Sequence, residues 1–120
     1  MKTTCEAEVH TITGGAVIRL SGDVDGTAAD VLTAAYDQAV AEGDPASVLL
    51  DFADVGYINS TGIALIVSVL AKARSQRRKV VASGLSEHYR EIFDITRLSD
   101  FIELFPDLDH AVSQLTAQAS

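Results

Sequence analysis

Apolar residues along this chain recur with two different periods. Glu8 to Ile12 alternates weakly, and Ala16-Val17-Ile18-Arg19-Leu20 is nearly continuous. Between them stands Gly14-Gly15, a hairpin signal because both residues accept positive φ. Two antiparallel strands are expected, the second ending over Gly22 to Gly26. From Thr27 to Glu42, Ala28, Val31, Leu32, Ala35, Tyr36 and Ala39 recur every three or four positions, which is one face of a helix. Gly43-Asp44-Pro45 stops it. Ser47 to Phe52 is a short apolar run suited to a buried strand, and Gly56-Tyr57-Ile58 reads as a connector. Ile63 to Ser75 is apolar on nearly all sides. Such a helix is either largely buried or offers an apolar face to a partner. Val80-Val81-Ala82 forms another buried strand. Ser86 caps a helix reaching about Asp94, with Tyr89 part of that turn's polar surface. Phe101 to Phe105 is a short extended piece, and Leu108, Ala111, Val112 and Leu115 mark a closing amphipathic helix.

The order is β-β-α-β-α-β-α-β-α, which predicts an α/β fold in one domain over residues 1–120. The opening hairpin makes its sheet mixed. The helices from Thr27, Thr61 and Ser86 pack on that sheet, mainly on one face. Val48, Leu50, Ile66, Leu70 and Val81 are expected in the core.

Composition narrows the function. The chain has 120 residues, of which 48% are hydrophobic and 22% charged, so it can bury enough surface to order itself. Its net charge of −8 disfavours nucleic-acid binding, which depends on clustered cations. A single Cys excludes an internal disulfide. No signal peptide is visible at the start, and Ile63 to Ala73 falls far short of the roughly 20 residues of a membrane span. A cytoplasmic protein is expected. The charge is uneven. Residues 1–60 carry ten acids and two bases, whereas five of the nine bases fall between Lys72 and Lys79. That run reads first as a solvated helix end whose cations suit the negative pole of the helix dipole. Its second reading is a docking patch for an acidic partner.

Several chemistries lack their residues. Gly14-Gly15 has no third glycine of a dinucleotide fingerprint, and no Walker sequence occurs. His10, His88 and His110 are isolated, so no built-in metal site or cofactor is expected. Asp23 and Asp25 begin like a calcium loop, but the later ligand positions fail. They read instead as a strand-to-helix turn. Ser60 lacks the Gly-x-Ser-x-Gly elbow of hydrolases.

The informative segment runs from Val48 to Ala73. An apolar strand ends in Asp51, a short connector reaches Ile58, and Asn59-Ser60-Thr61-Gly62 opens an apolar helix. With Asn59 as cap, Ser60 is the first helical residue and projects outward. Thr61 is stiffer, and its hydroxyl can bond locally to the backbone. The segment resembles the STAS domain family, specifically the bacterial anti-sigma factor antagonists. Their pattern is an apolar strand ending in Asp, a connector, then Asp-Ser-Ser/Thr-Gly opening an apolar helix. Leu20-Ser21-Gly22-Asp23-Val24-Asp25, Lys79-Val80-Val81 through Ser86, Phe93 to Leu98, and the terminal helix extend the resemblance from about residue 8 to residue 117.

The resemblance implies a binding protein rather than an enzyme. Its partner would be an anti-sigma factor that is also a serine kinase, which phosphorylates the Ser matching Ser60 and so releases the antagonist. A phosphatase would restore it. Asp25, Asn59, Ser60, Thr61, Gly62 and Ile63 would form the partner-binding face, and Asp25 and Asp51 match acidic family positions close to the serine. Asn59 departs from the family's Asp, keeping the cap and removing one negative charge. A monomer or weak dimer is expected. The alternative is a STAS scaffold, sensor or transport-accessory module that is never phosphorylated.

Overall fold

The computed structural model describes residues 4–119. Among them the order is β1 (Glu6–Ile12), β2 (Gly15–Val24), a 3-10 turn (Gly26–Ala28), α1 (Ala29–Gly43), β3 (Ser47–Ile58), α2 (Ser60–Ser75), β4 (Lys79–Ser83), α3 (Glu87–Ile95), a 3-10 turn (Leu98–Asp100), β5 (Glu103–Phe105) and α4 (Leu108–Ala119). The strands form one sheet in the order β1-β2-β3-β4-β5. β1 is antiparallel to β2, and each later neighbour is parallel. This is the mixed sheet with an opening hairpin that the pattern predicts.

Strand alternation divides the core between the two faces of the sheet. Ala16, Ile18 and Leu20 of β2, Val48, Leu50 and Phe52 of β3, and Val80 and Ala82 of β4 point one way. They meet Leu32, Ala35, Tyr36 and Ala39 of α1, Ile66, Leu70 and Ala73 of α2, and Phe93 of α3. The intervening Val17, Leu49 and Val81 point the other way, onto Ala111 and Leu115 of α4. Three helices therefore cover one face and the closing helix the other. Val48, Leu50, Ile66, Leu70 and Val81 are all buried. α2 is both things its composition allowed: Ile66, Leu70 and Ala73 face the core, while Ala64, Val67 and Ala71 are exposed.

Three local details differ from the sequence pattern. The hairpin pairs Ile12 with Gly15, so its two-residue loop is Thr13-Gly14, and of the two glycines only Gly14 has positive φ. Gly15 instead starts β2 in close approach to the Ser47 carbonyl. β2 ends at Val24, inside the expected span Gly22 to Gly26, and its extension past Gly22 is reached through register shifts at Arg19/Ser21 and Gly22/Asp23, with Gly22 at φ 84°. The predicted connector Gly56-Tyr57-Ile58 is strand as well, because it pairs with that extension, Tyr57 opposite Asp23 and Ile58 opposite Val24. At the other end, Phe101 lies outside the closing strand, which begins only at Glu103.

No helix among the described residues is long and apolar enough to cross a membrane.

Candidate functional site

The extended ends of β2 and β3 lie side by side and open into two neighbouring turns. On β2, Asp25 caps the 3-10 turn. Its Oδ1 accepts hydrogen bonds from the Thr27 backbone amide at 2.9 Å and the Thr27 hydroxyl at 2.5 Å. These bonds satisfy a carboxylate that is only 4% exposed. The strand-to-helix turn expected here is what forms.

On β3, Asn59 is extended at φ −97° and ψ −178° and caps α2. Its Oδ1 accepts the Gly62 amide at 2.8 Å. Its carbonyl accepts the Ile63 amide at 2.9 Å, and its own amide donates to the Val24 carbonyl at 3.2 Å. The two turns are thus joined through the backbone of residue 24. Gly62 is buried against the same carbonyl. A Cβ there would come within 2.8 Å of the Val24 carbonyl carbon and closer still to its oxygen. Only glycine fits.

Ser60 is the first residue of α2 and is exposed. Thr61 is exposed beside it, its methyl group directed at Gly26 of the adjacent turn. Ile63 is half-buried and packs on the core. The structure therefore brings Asp25, Asn59, Ser60, Thr61, Gly62 and Ile63 to one end of the sheet. The first turn of α2 contains no acidic residue. A neutral cap and a free hydroxyl meet the positive pole of a 16-residue helix, a setting that accommodates an added anion.

Asp51 is not part of this cluster. It is buried midway along β3, where its Oδ1 accepts the Ser83 hydroxyl at 3.0 Å and its Oδ2 lies 3.4 Å from Arg19 Nε. The outer half of β3, which the pattern did not reveal, separates it from Ser60.

Tyr89 belongs to the site's support rather than to a polar surface alone. It is half-buried, and its hydroxyl accepts the Ile58 amide at 2.9 Å, tying α3 to the strand end just before Asn59. The signal available in sequence was a Tyr in the first turn after the Ser86 cap. Nothing local says which strand it reaches.

At the far end of α2 the basic run behaves mainly as a helix terminus. Lys72 and Arg74 occupy the last turn. Lys72 pairs with Asp37 at 2.7 Å, Arg78 with Asp44 at 2.6 Å and Lys79 with Glu103 at 3.3 Å. Arg74 instead lies over the Phe101 ring, 5.6 Å from its centroid. No group of three His, Cys, Asp or Glu side chains able to hold a metal occurs among the described residues.

Comparison with known proteins gives this arrangement a family. The STAS domain model matches residues 6–111. An anti-sigma-B factor antagonist from Listeria monocytogenes is 34% identical over 88 residues, covering 72% of this chain and 75% of that protein. The crystal structure of an anti-sigma factor antagonist from Mycobacterium paratuberculosis superposes with a TM-score of 0.72 at 26% identity, covering 92% of this chain and 93% of that one. The phosphorylated form of the Bacillus cell fate determinant SpoIIAA shares the fold, with a TM-score of 0.69 at 18% identity over 91% of this chain and 98% of that one. The chain belongs to the STAS domain family, among its bacterial anti-sigma factor antagonists.

Proposed function

We propose that this protein binds an anti-sigma factor and is switched off by phosphorylation of Ser60. The observation that carries the reading is the exposed Ser60 hydroxyl on the first residue of α2, beside a neutral cap. The 34% identical relative, itself an anti-sigma-B factor antagonist, gives the partner class. The anti-sigma factor is also the kinase, it acts in the cytoplasm with ATP, and a phosphatase reverses the step.

The switch needs charge rather than a change of shape. A phosphate adds about −1.5 to −2 charges at neutral pH. At the α2 N-terminus it is tolerated by the helix dipole and the free amides, so the domain stays folded. In an interface the same charge must be desolvated or must meet an opposing group. One like-charge contact at about 4 Å costs roughly 4 kcal/mol at an effective dielectric of 20. At about 1.4 kcal/mol per decade, that weakens binding several-hundred-fold. The chain supplies the acceptor hydroxyl and the binding face, and the partner supplies nucleotide and catalysis.

The test is incubation of the purified chain with ATP and the serine-kinase anti-sigma factor of the source organism. Mass spectrometry of the Ile58–Lys72 region then locates the phosphate. A stoichiometric phosphate on Ser60 that abolishes partner binding is the expected result. Phosphate elsewhere, or Ser60 phosphate formed from ATP without the second protein, overturns it.

A further inference from the structure

The exposed positions of α2 form a line. Ser60, Ala64, Val67, Ala71 and Arg74 are all exposed and are spaced by four, three, four and three residues, which places them on one helix face. At 1.5 Å per residue, Arg74 lies about 21 Å along the axis from Ser60. There the line enters a groove of about 450 Å³ between α2 and the segment before β5. Val67, Ala71 and Phe101 supply apolar lining, and Arg74, Arg78, Lys79 and Asp100 its charged rim.

Two large apolar side chains stand open at this groove, Phe101 at 61% exposure and Val67 at 43%. Exposed aromatics of this kind serve as anchor positions of protein interfaces. Three bases and one acid line the groove, Arg74, Arg78, Lys79 and Asp100, and Arg78 and Lys79 are paired with Asp44 and Glu103. Arg74 has no ion pair among the described residues and rests over the Phe101 ring. Arg74 beside an apolar floor complements a ligand that sets a carboxylate next to an apolar anchor.

We infer that this groove is the second contact point of the partner-binding face. It receives a segment of the anti-sigma factor that presents an aliphatic or aromatic side chain beside a carboxylate that meets Arg74. The inference rests on the reading of Ser60 as the switch and extends it. A standard interface buries about 800 Å² per partner, a patch roughly 30 Å across, so one partner spans both ends of the line. The Ser60 end then carries the regulation, and the Arg74–Phe101 end carries affinity and partner choice.

The experiment measures affinity by calorimetry at two salt concentrations for the same anti-sigma factor used to test phosphorylation. Four proteins are compared: the parent, Phe101→Ala, Arg74→Gln and His10→Glu. The last removes nothing from the groove. It makes the protein more negative by one charge, as Arg74→Gln does, on β1 at the opposite edge of the sheet. Circular dichroism checks the fold of each. Phe101→Ala is expected to bind at least about tenfold more weakly, the scale of an anchor residue. Arg74→Gln binds several-fold more weakly with a shallower salt dependence, and His10→Glu stays within twofold of the parent. If both groove variants bind like the parent, the groove lies outside the interface while the Ser60 reading stands. If the parent itself does not bind, both fall together. Sedimentation of a dimer that Phe101→Ala dissolves, with partner affinity unchanged, assigns the groove to a second copy of this chain and overturns the inference.

Discussion

Gly62 rests directly on the carbonyl of Val24, so the start of α2 and the end of β2 meet with no side chain between them. The Asn59 amide bonds to the same carbonyl at 3.2 Å. Gly62→Ala would force a methyl group into that contact, and forced overpacking costs about 1–3 kcal/mol or more. A loss at the upper end of that range is expected, because the obstacle is backbone rather than a movable side chain. Urea unfolding measures it, and a loss below about 0.5 kcal/mol would show that the two elements part easily.

Asn59 holds the same turn by its side chain. Asn59→Ala removes the bond to the Gly62 amide and is expected to cost about 0.5–2 kcal/mol. Asn59→Asp keeps the cap and places a charge at the positive helix pole, worth about 0.3–1 kcal/mol of added stability at low salt. Thermal melts of the two variants should therefore move in opposite directions.

The hydroxyl variants separate folding from binding. Ser60→Ala should fold and hold the anti-sigma partner constitutively. Ser60→Glu should fold but bind weakly, because a charge enters the contact. Thr61→Ala should remain phosphorylatable. Calorimetry with the partner distinguishes the three, and tight binding by Ser60→Glu would place Ser60 outside the interface.

In the core, Leu70 packs between α2 and the sheet. Its truncation to Ala should cost about 2–5 kcal/mol, the range for buried leucines. A loss below about 1 kcal/mol would put it on the wrong face of the helix.

Alkaline pH should destabilise the fold. Burial pushes the Cys5 thiol above its ordinary 9.0, with Asp25 and Glu6 adding to the rise. Burial likewise raises Tyr36 above 10.0, against the opposing pull of Arg78 and Lys72. The native state keeps these protons after the unfolded chain has begun to release them. Their stabilisation is therefore full below about pH 9 and lost as pH rises through the folded values. The urea midpoint should fall above pH 9, and Ellman's reagent at pH 8 should reach Cys5 only on unfolding.

The parts of this molecule legible in sequence are those written in local patterns. The period of α1, the apolar runs of β3 and β4, and the caps Asn59 and Ser86 each leave a mark within a few residues. The turn from Asn59 to Gly62 is legible for the same reason, since cap, hydroxyl and glycine are consecutive. What stayed hidden depends on pairing across distance. The outer half of β3, 53–58, is mostly exposed and interrupted by Asp54 and Gly56, and it is strand because it pairs with the bulged end of β2. That extension is why Asp51 ends up inside the sheet with Ser83 rather than near Ser60. The bond from the Ile58 amide to the Tyr89 hydroxyl spans 31 residues and has no local sign.

That bond and the Val24 contacts have a consequence for timing. Ser60 follows backbone braced by α3 on one side and β2 on the other, so under the proposed switch a phosphate there acts through its charge on a turn already held in place. Domain motions and local unfolding take microseconds to seconds. A mark that changes only surface charge has no such delay. Under the proposed switch, the pace of the response passes to the enzymes that write and erase the mark and to the rate at which the partner lets go.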